Sequence, residues 1–164
     1  MQTKRLVVMA MLTAVGVAAS HIIWFPAGVA RAFPVQHAIN VVAGVLLGPG
    51  PAVFVALATG ILRNLLGIGT LLAFPGGMVG AFLAGWFFQR SGRSSLAVVG
   101  EVLGSGLIGA LISVPVARIL MGDPAGALAF VPSFTISAVS GAAAAFALLR
   151  ILRKSLGEEE IDHV

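Results

Sequence analysis

Between positions 31 and 70 an apolar stretch carries seven side chains able to hold a small molecule: Arg31, Gln36, His37, Asn40, Arg63, Asn64 and Thr70. Gln36 and Asn40 are four residues apart and His37 and Asn40 three, so a helix there gathers donors and acceptors on one face. Thr59, Gly60, Arg63 and Asn64 repeat that stripe further on. Taken singly, each residue has a plainer use. Arg31, Arg63 and Arg118 can snorkel to headgroups, Arg118 can pair with Asp123, and Asn40 can bond a neighbouring helix. Together, with Asp123 as outer acidic compensation, they favour a basic polar pocket for a ligand with an acceptor or anionic end. Trp24, Phe25, Phe33 and Phe74 stand close enough in sequence to stack an aromatic ring, and His21 either reaches that pocket or sits at the interface.

Covalent chemistry is poorly served. The chain has no cysteine, no tyrosine and three histidines, and it carries no HExxH, Walker loop, nucleophile elbow or metal-ligand spacing. Without a nucleophile–base pair the reading is a binding protein rather than an enzyme, with no resident cofactor or metal. Glu101 is a lone carboxylate in an apolar run. It is either a proton site or, as expected here, a partner of Arg90 or Arg93.

The elements that position these residues must live in lipid. Of 164 residues, 59% are hydrophobic and 10% charged, with a mean hydropathy of +1.05, whereas soluble domains are about 25% charged. So few charged side chains cannot cover a water-exposed surface. Spans of about 20 residues fit six runs: Leu6 to Trp24, Pro34 to Leu47, Pro51 to Leu66, Leu71 to Phe88, Leu96 to Met121 and Ala127 to Leu149. Continuous apolarity without two-residue alternation favours helices over a membrane barrel. The expected fold is an all-α integral membrane bundle of about six helices. A single transmembrane domain would fill residues 1–155, followed by an acidic tail at 156–164.

Pro34 and Pro51 suit the first turns of a short helix pair joined by Gly48-Pro49-Gly50-Pro51. Such short runs imply sheltered non-helical flanks or a thinned bilayer. If the second helix enters from outside after Arg31 and the third returns near Arg63, their polar ends share one depth. A cytoplasmic N-terminus places Lys4, Arg5, Arg90, Arg93, Arg150, Arg153 and Lys154 inside, against Arg31, Arg63 and Arg118 outside. Both termini are therefore expected in the cytoplasm of a plasma-membrane protein. The pI near 11.2 comes without a basic cluster longer than two or three residues, which argues against nucleic acid. The start resembles a cleavable signal peptide, yet its apolar run continues to Trp24, longer than a usual signal core, and is read as a span.

Glycine and alanine supply close helix packing. Gly76/Gly80, Gly100/Gly104 and Gly106/Ala110 have the four-residue spacing of internal helix contacts, and Ala10, Ala14 and Ala18 form a smooth groove on the first helix, open to a helix of this chain or of a partner.

The stretch Arg31-Ala-Phe-Pro-Val-Gln-His-Ala-Ile-Asn40, followed by GVLLGPGPA and RNLLGIGTLLAFPGGMVGAFLAG, resembles the ThiW family among the substrate-binding S components of energy-coupling factor (ECF) vitamin transporters. The resemblance runs through nearly the whole chain. It implies a binding subunit for hydroxyethylthiazole, a thiamine precursor, working with a transmembrane coupling protein and two ATPases that consume the ATP. It also implies that Ala10 and Ala14 match the AxxxA motif through which S components meet the coupling protein. The three outer arginines raise the phosphorylated thiazole as the cargo. The alternative is a self-sufficient secondary carrier or channel. Against it stand the lack of an inverted repeat relating residues 1–88 to 89–164 and of an intramembrane acid relay.

Overall fold

The computed structural model describes residues 2–27, 30–124 and 128–156. The acidic tail, apart from its first residue, lies outside the described residues. Helix α1 (Gln2–Ile22) leads into a hairpin of β1 (Phe25–Ala27) and β2 (Ala30–Ala32), then α2 (Pro34–Leu47), α3 (Pro49–Leu65) and α4 (Ala73–Ser91). Helix α5 (Ser94–Leu120) and α6 (Val131–Leu156) complete the bundle. The all-α membrane bundle expected from composition is the fold observed. The antiparallel hairpin pairs Phe25 with Ala32 and Pro26 with Arg31 between α1 and α2.

Among the described residues three helices, Thr3–Ile22, Ser94–Leu120 and Val131–Ser155, have the length and apolarity to cross a bilayer, and Pro34–Leu47 is a shorter apolar helix. At ~1.5 Å per residue α2 reaches about 21 Å, short of a hydrocarbon core of about 30 Å. Its sequence is almost wholly buried, from His37 through Leu47, because it packs against all five other helices. That central position shelters its polar residues from lipid.

Pro34 opens α2 and Pro49 opens α3, so the expected four-residue hinge contracts to Gly48 alone. Gly48 takes φ 85°, a left-handed conformation that costs glycine little. The crossing of α4 and α5 depends equally on missing side chains. A Cβ on Gly104 would stand 2.6 Å from Gly80 Cα, and one on Gly109 would strike Gly76 Cα. This contact uses Gly76, Gly80 and Gly104 as internal packing residues, as their spacing suggests. Within α5 the glycine-rich segment Val102–Gly109 winds as a π-helix, a wider turn that is commonly found at functional sites.

Below the polar end, Val41, Val45, Ala84, Ala97, Ala142 and Leu149 form a dry core between α2, α4, α5 and α6. Helix α1 stays peripheral, packing on α2 and α3. It leaves Leu6, Val7, Met11 and Val15 exposed together with Ala10, Ala14 and Ala18.

Candidate functional site

A cavity of about 810 Å³ opens at the end of the bundle where α1, α3 and α5 finish and α2, α4 and α6 begin. Exposed side chains ring its mouth: His21, Trp24, Arg31, Thr70 and Asp123. The Arg31 guanidinium lies 4.3 Å from the centre of the Trp24 ring, a cation–π contact that holds both at the rim. Phe33, Leu72, Phe130 and Phe134 supply apolar wall. Gln36, His37, Gly76 and Gly77 make the deep end, where the side chain of His37 is buried.

The hydrogen bonds at that deep end have one consistent direction. Arg63, 1% exposed, can only donate, so the Gln36 oxygen must be what receives its Nη1. The Gln36 amide nitrogen then faces His37 Nε2 at 3.2 Å, which makes Nε2 the acceptor and leaves the ring proton on Nδ1. His37 Nδ1 donates to Glu101 Oε1 at 2.7 Å. Arg63, Gln36, His37 and Glu101 thus form one chain from the cavity wall to a fully buried carboxylate. Arg63 also sits 4.2 Å from the centre of the Phe33 ring and donates to Ile68 O at 3.4 Å.

Glu101 corrects the sequence reading. It does not pair with Arg90 or Arg93: Arg90 lies 5.0 Å from the Trp86 ring, and Arg93 is exposed beyond the end of α4. The carboxylate points into the bundle, where Gly80 leaves room for it; a Cβ there would be 2.5 Å from Glu101 Oε2. Oε1 receives His37, Asn40 Nδ2 at 3.1 Å and Ser105 Oγ at 2.7 Å, while Oε2 has no hydrogen-bond partner. Ser105 also reaches Gly76 O at 2.8 Å, so its single proton serves one acceptor at a time. The π-helical turn carries Ser105 one turn beyond Glu101.

Of the seven residues singled out in the sequence, Arg31, Gln36, His37, Arg63 and Thr70 line this cavity. Asn40 lies beneath it, bonded to Glu101 and to Gly77 O at 3.2 Å, and borders a second, very small void. Asn64 is not brought to the wall. Its amide is occupied by Gly60 O at 2.9 Å and Thr70 O at 3.2 Å. Among the aromatic candidates Trp24 and Phe33 line the cavity, Phe25 does not, and the Phe74 ring fills the space beside Gly60.

Sequence reasoning missed the wall given by the start of α6 and by Phe130 just before it. Phe130, Ser133, Phe134 and Ser137 all line the cavity, and their i, i+3, i+4, i+7 spacing was the signal of a mixed aromatic and hydroxyl face. Two of them also fasten the hairpin. Ser133 Oγ donates to Ala27 O, and Phe33 N–H donates to Ser137 Oγ at 2.8 Å. Ser20 was missed too: its hydroxyl is buried at the cavity with no hydrogen-bond partner. Among the described residues no group of three metal-ligating side chains assembles. The arrangement offers ring-stacking walls and a polar end that can donate and accept, which is the equipment of a small-molecule receptor.

A sequence model of the family described as "Thiamine-precursor transporter protein (ThiW)" matches residues 6–155. No curated protein matches the chain.

Proposed function

We propose, from the premise that this chain belongs to the ThiW family of thiamine-precursor transporters, that it is the substrate-binding membrane subunit of an ECF-type importer. Its cargo in this reading is hydroxyethylthiazole or the phosphate of that alcohol. The observation that carries the proposal is the cavity: at about 810 Å³ it falls within the ~300–1,000 Å³ of small-molecule sites. Phe33, Phe130 and Phe134 would flank the thiazole ring, and the amide of Gln36 and the hydroxyl of Ser20 would meet its polar atoms. Arg31, His37, Arg63 and Thr70 complete the proposed first contacts or hold them in place, with Asn40 acting from below.

Arg5 and Arg90 mark the opposite end of the bundle; Arg5 donates to Leu47 O, at the end of α2, at 2.6 Å. With that basic end in the cytoplasm, as the positive-inside rule requires, both termini are cytoplasmic and the cavity faces outward. The hairpin would close over the ligand. Ala10, Ala14 and Ala18, exposed along α1, give a smooth surface on which a coupling protein's helices can seat. ATP would be hydrolysed by the two ATPases bound to that protein.

Titration calorimetry on the purified protein tests the binding role. Saturable binding of hydroxyethylthiazole or its phosphate is expected; no heat with either compound or with thiamine removes the proposal. Uptake by the protein alone in liposomes, without ATPases, would instead favour a self-sufficient carrier.

A further inference from the structure

We infer that Glu101, which touches no part of the cavity, determines which charge form of the cargo the site accepts by serving as the counter-charge of Arg63 through Gln36 and His37. The inference rests on the proposed binding role and deepens it.

Arg63 brings a full positive charge to the deep wall of the cavity, yet its hydrogen bonds go to the neutral Gln36 and Ile68 and its face lies on the Phe33 ring. At 1% exposure it cannot be balanced by water. A buried charge needs a compensating one. Glu101, 0% exposed, stands in the mirrored position: its donors are the neutral Asn40 and Ser105 and the ring of His37. Gln36 and His37 lie between the two with their donors and acceptors all running from cation to anion, so each bond polarises the next. The charges are separated by the relay yet buried in a medium of low dielectric, where such interactions remain strong.

The charge balance of the deep end follows. Glu101 behind His37 offsets the positive charge that Arg63 brings to that wall. Remove Glu101 and the deep end carries one uncompensated positive charge. The native chain is therefore built for an uncharged guest, the alcohol, against its phosphate ester. Arg63, at 1% exposure, presents almost no surface with which to form the bidentate clamp that a phosphate recruits.

The test compares the affinities of hydroxyethylthiazole and its phosphate ester, by calorimetry, across the native protein, Glu101→Gln, and the pair Arg63→Gln with Glu101→Gln. The glutamine keeps an acceptor oxygen for His37 and removes the charge. Native protein is expected to prefer the alcohol. In Glu101→Gln the ratio of affinities should move toward the ester by about tenfold or more, and in the double variant it should return. Parallel loss of affinity for both compounds, with an unmoved ratio, would show a structural role alone and overturn the inference. A second measurement needs no ligand: thermal unfolding of Arg63→Gln, Glu101→Gln and the double variant. Each single change should lower the midpoint, and the double should lose less than the two losses combined. Additive losses would contradict the pairing even if neither compound binds the native protein, a result that would instead remove the proposed cargo.

Discussion

Two asparagines with identical side chains occupy very different positions, and that contrast makes the residue-scale account testable. Asn40 gives one amide nitrogen to Glu101 and to Gly77 O. Replacing it with alanine leaves a buried carboxylate short of a donor, a loss of about 1–3 kcal/mol in stability, together with weaker ligand binding as His37 and Gln36 shift. Asn64 is engaged with backbone carbonyls of its own helix end and the following loop. Asn64→Ala should leave affinity within about twofold, the surface-like change of ~0.5 kcal/mol or less. Thermal unfolding and calorimetry on both variants check this, and equal effects on affinity would contradict it. The stripe of Gln36, His37 and Asn40 was legible because one helix carries it. The identity of its partner was not, since Glu101 lies 64 positions from His37 and only the packing of α2 against α4 and α5 brings them together. Charge rules pointed Glu101 to nearby arginines; the space left by Gly80 sends it inward.

At the scale of elements, glycine sets how closely α4 and α5 approach. Gly104→Leu cannot be accommodated, because even its Cβ would meet the Gly80 backbone; it should abolish the monodisperse folded protein in detergent, as read by size-exclusion chromatography. The hairpin gives a milder case. Ser133→Ala removes the hydroxyl bonded to Ala27 O, a loss worth about 1 kcal/mol, and should speed ligand release several-fold in stopped-flow measurements. Release unchanged from native would mean that the hairpin does not gate the site. On α1, Ala14→Leu adds bulk to an exposed face, so binding should be kept while uptake with the coupling protein and ATPases is lost. Retained uptake would place the partner elsewhere. The helices themselves were readable from apolar runs and prolines. The π-helical turn of α5 and the hairpin were not, because both depend on which neighbours the backbone meets rather than on local residue preference.

For the whole molecule, the decisive feature is that every polar group of the cavity comes from one end of the bundle while most of the lysines and arginines mark the other. Composition made the membrane setting plain. The share of the cavity contributed by α6 escaped notice because it depends on that helix closing the ring beside α2, at a sequence distance of about a hundred residues from the hairpin it fastens. Ligand bound only by the folded state must also stabilise it, by about 2.7 kcal/mol at a hundred times the dissociation constant. The melting midpoint should therefore rise with hydroxyethylthiazole concentration. The most direct test of where the ligand sits uses the two tryptophans. Trp24 is at the cavity mouth, whereas Trp86 is with Arg90 at the far end, so Trp86→Phe leaves Trp24 as the sole indole reporter. Titrating that variant with hydroxyethylthiazole should change Trp24 emission saturably, with the same midpoint as calorimetry. Binding heat with no change in Trp24 emission would contradict a guest held in this cavity.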